Sequence, residues 1–340
     1  MTIKDIARLA GCGVATVSRV LNGGRDVSEE TRKRVLAVVA EQDFHPNNNA
    51  RHLKQRQDTG VAVLVQGSQN LLFADLVERA QALLRERGRQ AELYYLDEAA
   101  DGAAFAAQLC RERKPAGILF LGGAAWDFQR SFAGVTVPCV LLTGSARGLG
   151  FAHLSSLTTD DEEAAFQAVS YLLDRGHREI GVLGGGQPLS QIGRQRLRGC
   201  RRALEARGLS LDEGRTEPCR YDMADGYAAA RRLMERCPEV TAVFAMSDVL
   251  AIGAIRALGD LNLRVPEDVS VMGYDGVFLA RYSVPRLTTV CQDTDLMARR
   301  GVELLLAQIR EEGEPVHETA PFRLLEGASV ARPREEKKGV

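Results

Sequence analysis

The sequence lacks long hydrophobic runs, and none approaches the roughly 20 residues that a membrane-spanning helix needs. Its first ten residues, MTIKDIARLA, place Asp5 and Arg8 among the apolar positions, so they also lack the charged-then-apolar order of a secretory signal. These absences exclude a membrane protein and predict a cytoplasmic one. The chain has 340 residues, 26% of them charged, which is typical of a protein with two or more packed units.

Reactive motifs are equally scarce. The seven cysteines lie far apart without a C-x-x-C pair, which argues against a disulfide framework and against a zinc site. There is no G-x-x-x-x-G-K-[ST], H-E-x-x-H or G-x-S-x-G motif, and the five histidines are dispersed. We therefore expect no catalytic residues, no metal and no cofactor.

Charge is distributed unevenly along the chain. Residues 1–57 carry ten Lys and Arg against six Asp and Glu, a net charge of +4, whereas the whole chain has a net charge of -1. A small basic head on an acidic body is typical of a polyanion-binding module attached to another unit. Taken alone, the same pattern also fits an ordinary solvated surface.

Three short helices are predicted in residues 1–46. The first begins at Thr2 and is broken by Gly at positions 11 and 13, the second ends near Asn22, and the third begins at Ser28. In the third helix, the residues expected to point inward are Val35, Leu36, Val38 and Val39. This spacing indicates a helix-turn-helix, although simple helical hairpins share it.

Residues 3–11, IKDIARLAG, and 15–22, ATVSRVLN, strongly resemble the head of the lactose/galactose repressor family of bacterial transcription regulators. The resemblance implies that the second helix enters the major groove. There Arg19 can donate two hydrogen bonds to a guanine, whereas Val14 and Ala15 offer apolar contact. Gly13 departs from the serine often found at the start of this helix.

Residues 47–58 match the hinge segment of the same family. Leu53 resembles the apolar wedge that opens a base step in the minor groove, and Ala50 would let two hinge helices approach closely. Without the preceding head, a solvated tether would describe this segment equally well. The residues expected at DNA are Thr2, Val14, Ala15, Thr16, Ser18, Arg19, Asn22, Ala50, Leu53 and Lys54.

From residue 59 to residue 330, short apolar runs alternate with amphipathic stretches. The apolar runs at 61–65, 116–121, 137–142, 180–183, 242–245 and 269–272 read as strands, and 74–87, 162–174, 194–206, 225–235 and 249–258 read as helices. Such alternation predicts α/β lobes with doubly wound parallel sheets. The length suits two lobes, with a first crossover near residue 158 and a ligand between them at the carboxyl ends of the strands.

The body also resembles the same family, whose core is similar to periplasmic sugar-binding proteins; matching stretches include 265–275, VPEDVSVMGYD, and 285–290, PRLTTV. The residues at its effector-binding positions are Leu72, Phe73, Asp160, Arg196, Tyr221, Ser247, Asp248 and Asp275. Leu72 stands where the family often has an aromatic residue, and Gly276 where a second polar group is common. Each residue alone also has a plain structural interpretation, such as packing or helix capping.

The resemblance implies a DNA-binding transcription regulator, expected to act as a repressor with activation as the alternative, that binds a pseudo-palindromic operator as a homodimer. Its effector would be a sugar or a phosphosugar, and effector binding could either release DNA or promote binding. A solute-binding receptor would explain the body but not the basic head, and a sugar-processing enzyme would need catalytic residues. The polar residues 331–340 are expected to form a disordered tail.

Overall fold

The computed structural model describes residues 3–21, 27–42, 60–67, 70–185 and 191–334. The chain divides into two units, Met1–Asp58 and Thr59–Val340, called here the head and the body. The head contains helices α1 (Ile3–Leu9), α2 (Val14–Leu21) and α3 (Glu29–Glu41). The turn after α1 passes through Gly11 at a φ of 60°, a conformation that glycine adopts without strain.

A small apolar core holds the three head helices together. Ile6, Ala10, Val17 and Val35 are buried in it, as the helical spacing predicts. The prediction that Leu36 of α3 points inward is wrong, because Leu36 is 46% exposed. One residue past Val35, it lies about 100° around the helix and faces solvent rather than α1 and α2.

The body consists of two α/β lobes. Lobe 1 contains strands β1 (Val61–Gln66), β2 (Ala91–Leu96), β3 (Gly117–Leu121), β4 (Cys139–Leu142), β5 (Leu154–Thr159) and β11 (His317–Ala320), with helices α4 (Leu71–Glu86), α5 (Gly102–Glu112), α6 (Ala125–Ser131) and α11 (Thr294–Ile309). Lobe 2 contains β6 (Ile180–Leu183), β7 (Thr216–Glu217), β8 (Ala242–Ala245), β9 (Ser270–Asp275), β10 (Thr288–Gln292) and β12 (Phe322–Leu325), with α7 (Asp161–Asp174), α8 (Gln191–Glu205), α9 (Met223–Arg236) and α10 (Asp248–Asp260).

Each lobe is built around a six-stranded sheet. The strand orders are β11-β5-β4-β3-β1-β2 in lobe 1 and β12-β10-β9-β8-β6-β7 in lobe 2. The paired strands are parallel except for β10 and β12, which are antiparallel. The antiparallel β12 departs from the all-parallel prediction because it follows β11 of the other lobe after a single residue and enters lobe 2 in the opposite direction.

Strand β1 shows why the strands read as continuous apolar runs. Val61, Val63 and Val65 pack into the core beneath α4 and α11. Ala62 and Leu64 point to the opposite face, into the core beneath α5 and α6. Because helices cover both faces of the sheet, both sets of alternating side chains must be apolar.

The chain crosses between the lobes three times: after β5, after β10 and between β11 and β12. All three crossovers lie at the same edge of the two sheets. This edge is formed by β11 and β5 in lobe 1 and by β12 and β10 in lobe 2. Residue 158, the expected first crossover, lies next to the end of β5 at Thr159. The three connections form a hinge, and the opposite edges, β2 and β7, are the sheet edges farthest from it.

The beginning of the expected tail packs against lobe 2. The Ala331 amide donates to Ser270 Oγ at 3.0 Å, and Arg334 pairs with Asp268 at 3.0 Å. The tail prediction is therefore wrong for residues 331–334. Residues 335–340 lie outside the described part of the chain.

Candidate functional site

A cavity of about 560 Å³ lies between the two lobes of the body, at the carboxyl ends of the strands. Five of the residues expected from the sequence line it: Leu72, Phe73, Arg196, Tyr221 and Asp275. Such a position is general for ligand sites in parallel α/β sheets, where the strand ends leave an open crevice. The volume falls within the range of small-molecule sites.

Arg196 is the centre of a buried polar network. Its Nε donates to Asp161 Oδ1 at 2.7 Å, its Nη1 donates to the Met246 carbonyl, and its Nη2 lies 3.8 Å from Asp275 Oδ1. The guanidinium also stacks over the Tyr274 ring at 3.6 Å. Only 6% of the Arg196 side chain is exposed, so the charge is held by pairing rather than by water.

Close packing of two helices brings Arg196 to its partner. A side chain at Gly199 on α8 would collide with the Glu162 carbonyl of α7, so the glycine lets the two helices approach. Arg196 precedes Gly199 by about one turn of α8, and Asp161 is the first residue of α7. The approach therefore places the guanidinium beside the Asp161 carboxylate.

Asp275 ends β9 and connects the cavity to the hinge. Its Oδ1 accepts a hydrogen bond from Gln292 Nε2 at 2.8 Å, and Gln292 Oε1 accepts one from Thr159 Oγ1 at 2.7 Å. Thr159 and Gln292 end β5 and β10, so they stand at two of the three crossovers. Burial raises the pKa of the Asp275 carboxyl to about 7. The nearby Arg196 charge acts in the opposite direction, because it favours the ionised carboxylate.

Apolar and aromatic side chains form the remaining walls. Leu72 and Phe73 lie in the first turn of α4, which Asn70 caps by accepting from the Leu72 amide at 3.0 Å. Tyr221 faces them from lobe 2, and burial raises the pKa of its hydroxyl to about 12. The cavity thus combines flat apolar surfaces with a buried charged network.

Three of the expected effector residues do not line this cavity. Asp160 is exposed and caps α7, accepting from the Glu163 amide at 3.0 Å; its neighbour Asp161 is the carboxylate that meets Arg196. Ser247 caps α10 through the Leu250 amide. Sequence similarity identified the segments, but successive residues at a strand-to-helix turn point in different directions.

Asp248 also has a role inside the lobe rather than at the cavity. Its Oδ2 accepts from the Val277 amide at 2.7 Å and its Oδ1 from Thr289 Oγ1 at 2.5 Å. These bonds tie down the turn that follows Asp275, a residue whose φ of 113° is unusual for a side chain with a Cβ. Asp248 therefore positions a cavity residue without touching the cavity.

The sequence reasoning missed several lining residues. Gln66 and Gln292 are the last residues of β1 and β10, and Thr143 comes directly after β4. Asp97 and Glu98 follow β2, and Arg220 follows β7. Thr143 Oγ1 is buried and has no hydrogen-bond partner among the described residues. Their positions in the sequence could have identified them, because polar residues at the ends of buried parallel strands lie together at the carboxyl edge of the sheet.

In the head, α2 contains five of the residues expected at DNA. Val14 is 40% exposed, Arg19 is exposed and Thr16 is half-buried, while Val17 on the other side is fully buried. Ala15 and Ser18 belong to the same helix. Thr2, Asn22, Ala50, Leu53 and Lys54 lie outside the described residues, so their roles remain predictions.

Family models match both units of the chain. Residues 2–47 match the description "Bacterial regulatory proteins, lacI family", and residues 169–330 match a periplasmic binding protein-like domain. The transcriptional regulator MalR of Clostridium butyricum is 34% identical over 335 residues, covering 96% of this chain and 98% of MalR. The chain belongs to the lacI family of bacterial regulatory proteins. The family resemblance and the fold expected from the sequence are therefore confirmed.

Other relatives of this lacI-family regulator carry related names. The regulator CelR of Thermobifida fusca is 35% identical, covering 93% of this chain and 94% of CelR, and the repressor PurR of an Escherichia coli strain is 32% identical over 97% of both. These relatives are transcription regulators. They support the predicted helix-turn-helix regulator and not the alternative of a sugar-processing enzyme.

Solved structures similar to this lacI-family regulator span nearly all of it. A CelR–cellobiose complex has a TM-score of 0.72 and 32% identity, covering 97% of this chain and 99% of that one. A lac repressor dimer bound to operator and an anti-inducer has a TM-score of 0.77 and 25% identity, with the same coverage. Within the described ranges, no helix is long and apolar enough to cross a membrane.

Proposed function

We propose that this lacI-family regulator binds operator DNA as a homodimer and that a neutral sugar in the cavity between the lobes changes its affinity for the operator. The observation that carries the effector proposal is the pairing of Phe73 and Tyr221 walls with the Arg196–Asp275–Gln292 network. Aromatic faces stack on the apolar face of a sugar ring, and the charged and amide groups bind its hydroxyls. We propose a cytoplasmic, non-catalytic role, which the named functions of the relatives support.

Charge favours a neutral sugar over a phosphosugar. Five carboxylates line the cavity (Asp97, Glu98, Asp127, Asp222 and Asp275) against two guanidiniums, Arg196 and Arg220. Both guanidiniums already face carboxylates: Arg196 pairs with Asp161, and Arg220 pairs with Asp97. A phosphate would enter a negative site where, among the described lining residues, both guanidiniums are already paired, and this costs binding energy.

The test is a panel of neutral sugars and their phosphates against the full chain. Cellobiose, maltose, glucose and ribose are compared with glucose 6-phosphate and ribose 5-phosphate by thermal unfolding and by the fluorescence of Trp126, the single tryptophan, whose neighbour Asp127 lines the cavity. A sugar present at 100 times its Kd stabilises the protein by about 2.7 kcal/mol, which raises Tm by several degrees. We expect this shift for a neutral sugar and a smaller one for its phosphate.

Operator binding decides whether the bound sugar regulates. An operator is selected from random duplexes with the purified chain, and its affinity is measured with and without each stabilising sugar. We expect the affinity to change about 5- to 150-fold, since the coupling free energy between allosteric sites typically amounts to roughly 1–3 kcal/mol. The proposal is wrong if no neutral sugar raises Tm, if a phosphate stabilises more than its parent, or if the bound sugar leaves operator affinity unchanged.

The major-groove contacts of α2 are part of this proposal. Arg19 is the only charged residue of α2, and both Arg19 and Val14 are exposed, whereas Val17 of the same helix is buried. An exposed arginine and an exposed apolar side chain on the same helix suit a guanine and a thymine methyl. The hinge residues Ala50, Leu53 and Lys54 would add minor-groove contacts.

An exposed apolar cluster in lobe 2 supports the homodimer. Phe278, Tyr282 and Val284 are 69%, 68% and 90% exposed, and the first two rings lie 4.7 Å apart. Clustered exposed aromatics are typical of protein interfaces, and a lac repressor dimer is among the similar structures. We propose that a second copy of this chain covers the cluster.

Tyr282→Asp is expected to produce monomers, because it places a charge in the centre of the proposed interface. Sedimentation velocity at micromolar concentration measures this directly. Tyr95→Asp is the matched control, since Tyr95 is a similarly exposed tyrosine on β2 of lobe 1. A Tyr282→Asp protein that sediments as the wild-type dimer would place the interface elsewhere.

A further inference from the structure

Two ion pairs connect the lobes across the mouth of the cavity. Arg220 follows β7 in lobe 2, and its Nη2 lies 3.3 Å from Asp97 Oδ2 while its Nε lies 3.3 Å from Glu98 Oε2. Asp97 and Glu98 follow β2 in lobe 1. All three residues line the cavity, so the bridge closes the same space that the effector would enter.

The ion pairs of Arg220 lie far from the hinge, so a small rotation of the lobes changes their distances strongly. β2 and β7 are edge strands, each four strands away from the crossover strands β5 and β10. At about 4.8 Å per strand, the bridge lies roughly 19 Å from the hinge edge, so a lobe rotation of about 20° would separate its charges by about 7 Å. An ion pair does not reach that far, and even modest opening therefore breaks the bridge.

Both ends of the bridge are held by their own loops. In lobe 1, Gln66 Nε2 donates to the Glu98 carbonyl at 3.0 Å and to the Ala100 carbonyl at 2.7 Å. In lobe 2, the Arg220 amide donates to Asp225 Oδ2 at 3.0 Å. The backbones of the two loops are thus fixed before the side chains meet, which lowers the entropy lost on pairing.

The burial of the three side chains suits a contact that forms and breaks. Glu98 is the least exposed at 23%, and burial raises the pKa of its carboxyl. Asp97 and Arg220 are more than half exposed, so water can solvate them once the lobes separate. A fully buried pair, such as Arg196 with Asp161, would instead resist separation.

We propose that Arg220, Asp97 and Glu98 form an ionic latch that holds the cavity closed at the edge opposite the hinge and so regulates entry and release of the effector. This inference rests on the proposed effector site. The latch biases the lobes toward the closed arrangement even without a ligand, and a sugar that enters must either pass through the open state or exchange with the latch charges.

The test measures the distance between the lobes in the full, ligand-free chain. Spin labels are placed on Arg113 of lobe 1 and Glu235 of lobe 2, both exposed, through a non-natural amino acid that avoids the native cysteines. Arg220→Glu puts three negative charges together and is expected to enlarge the long-distance population about fivefold or more. Adding Asp97→Lys and Glu98→Lys to this variant restores opposite charges and is expected to return the wild-type distribution.

Arg256→Glu is the matched control. Arg256 is an exposed arginine of the same lobe that pairs with Asp260 within α10, so the net charge changes equally without touching the latch. Its distance distribution should match wild type. An unchanged distribution in Arg220→Glu, or a shift that Arg256→Glu reproduces, would overturn the latch.

The latch and the effector proposal fail separately. If Arg220→Glu leaves the lobe distance unchanged while a sugar still alters operator binding, only the latch is wrong. Alternatively, Arg220→Glu opens the lobes and the added lysines close them again, but no sugar changes operator affinity. The latch is then confirmed as a contact between the lobes, whereas its regulatory role is wrong together with the proposed effector site.

Discussion

Arg196→Ala is expected to lower the free energy of unfolding of the body by about 3–5 kcal/mol. The change removes the cation from a buried network and leaves the Asp161 and Asp275 carboxylates, only 2% and 4% exposed, without a counter-charge. It also deprives the Met246 carbonyl of its donor. Chemical denaturation followed by circular dichroism measures the loss. Arg196, which the sequence predicts to bind the effector, is therefore also expected to stabilise the folded body.

The exposed arginine Arg198 provides the comparison. It lies on the same helix two residues later, is 57% exposed and pairs with Glu162 at 3.1 Å. Arg198→Ala should change stability by no more than about 1 kcal/mol, as exposed pairs usually do. Equal losses in the two variants would show that the buried Arg196 network adds no more to stability than an exposed ion pair. At a temperature where Arg196→Ala remains folded, operator affinity without ligand should persist, because the head is a separate unit.

Arg19→Ala is expected to weaken specific operator binding by about 1–3 kcal/mol, roughly 5- to 150-fold. The loss should be concentrated at one base pair, where discrimination between guanine and the other bases disappears. Binding to random DNA should fall much less, since it depends on phosphate contacts. Fluorescence anisotropy with the selected operator and with single-base variants separates the two effects.

Arg8→Ala is the control within the head. Arg8 is exposed on α1 and pairs with Asp5 at 3.3 Å, so its removal takes away the same charge without an α2 contact. Its specificity profile should match that of wild type. If Arg19→Ala weakens random DNA and the operator equally, Arg19 contacts phosphate and the base reading must come from other residues of α2.

Local pattern was enough to predict most of the secondary structure near the site. The strands at 180–183 and 242–245 have the predicted bounds because both are short buried apolar runs, each preceded by a polar residue, Glu179 or Thr241. The prediction passed over β2 and α11. β2 is a partly exposed edge strand, and α11 returns the chain to lobe 1 from lobe 2. Neither has a distinctive local pattern, because their burial depends on elements far away in sequence.

The sequence, read with its family resemblance, was enough to predict the family, the three-helix head with Arg19 on its exposed face and the two-lobed body. It also predicted Phe73, Arg196, Tyr221 and Asp275 in the cleft, where they line the cavity. The helices and strands follow from short-range periodicity, whereas the cleft residues follow from the resemblance to the family, which rests on motifs whose residues are adjacent in the chain. Two sets of ion pairs became visible only in the folded chain: Arg196 pairs with Asp161 rather than Asp160, and Arg220 pairs with Asp97 and Glu98. The first choice depends on which way one turn points its side chains. The second joins residues more than 120 positions apart, where only the packing of two lobes around a common hinge brings the charges together.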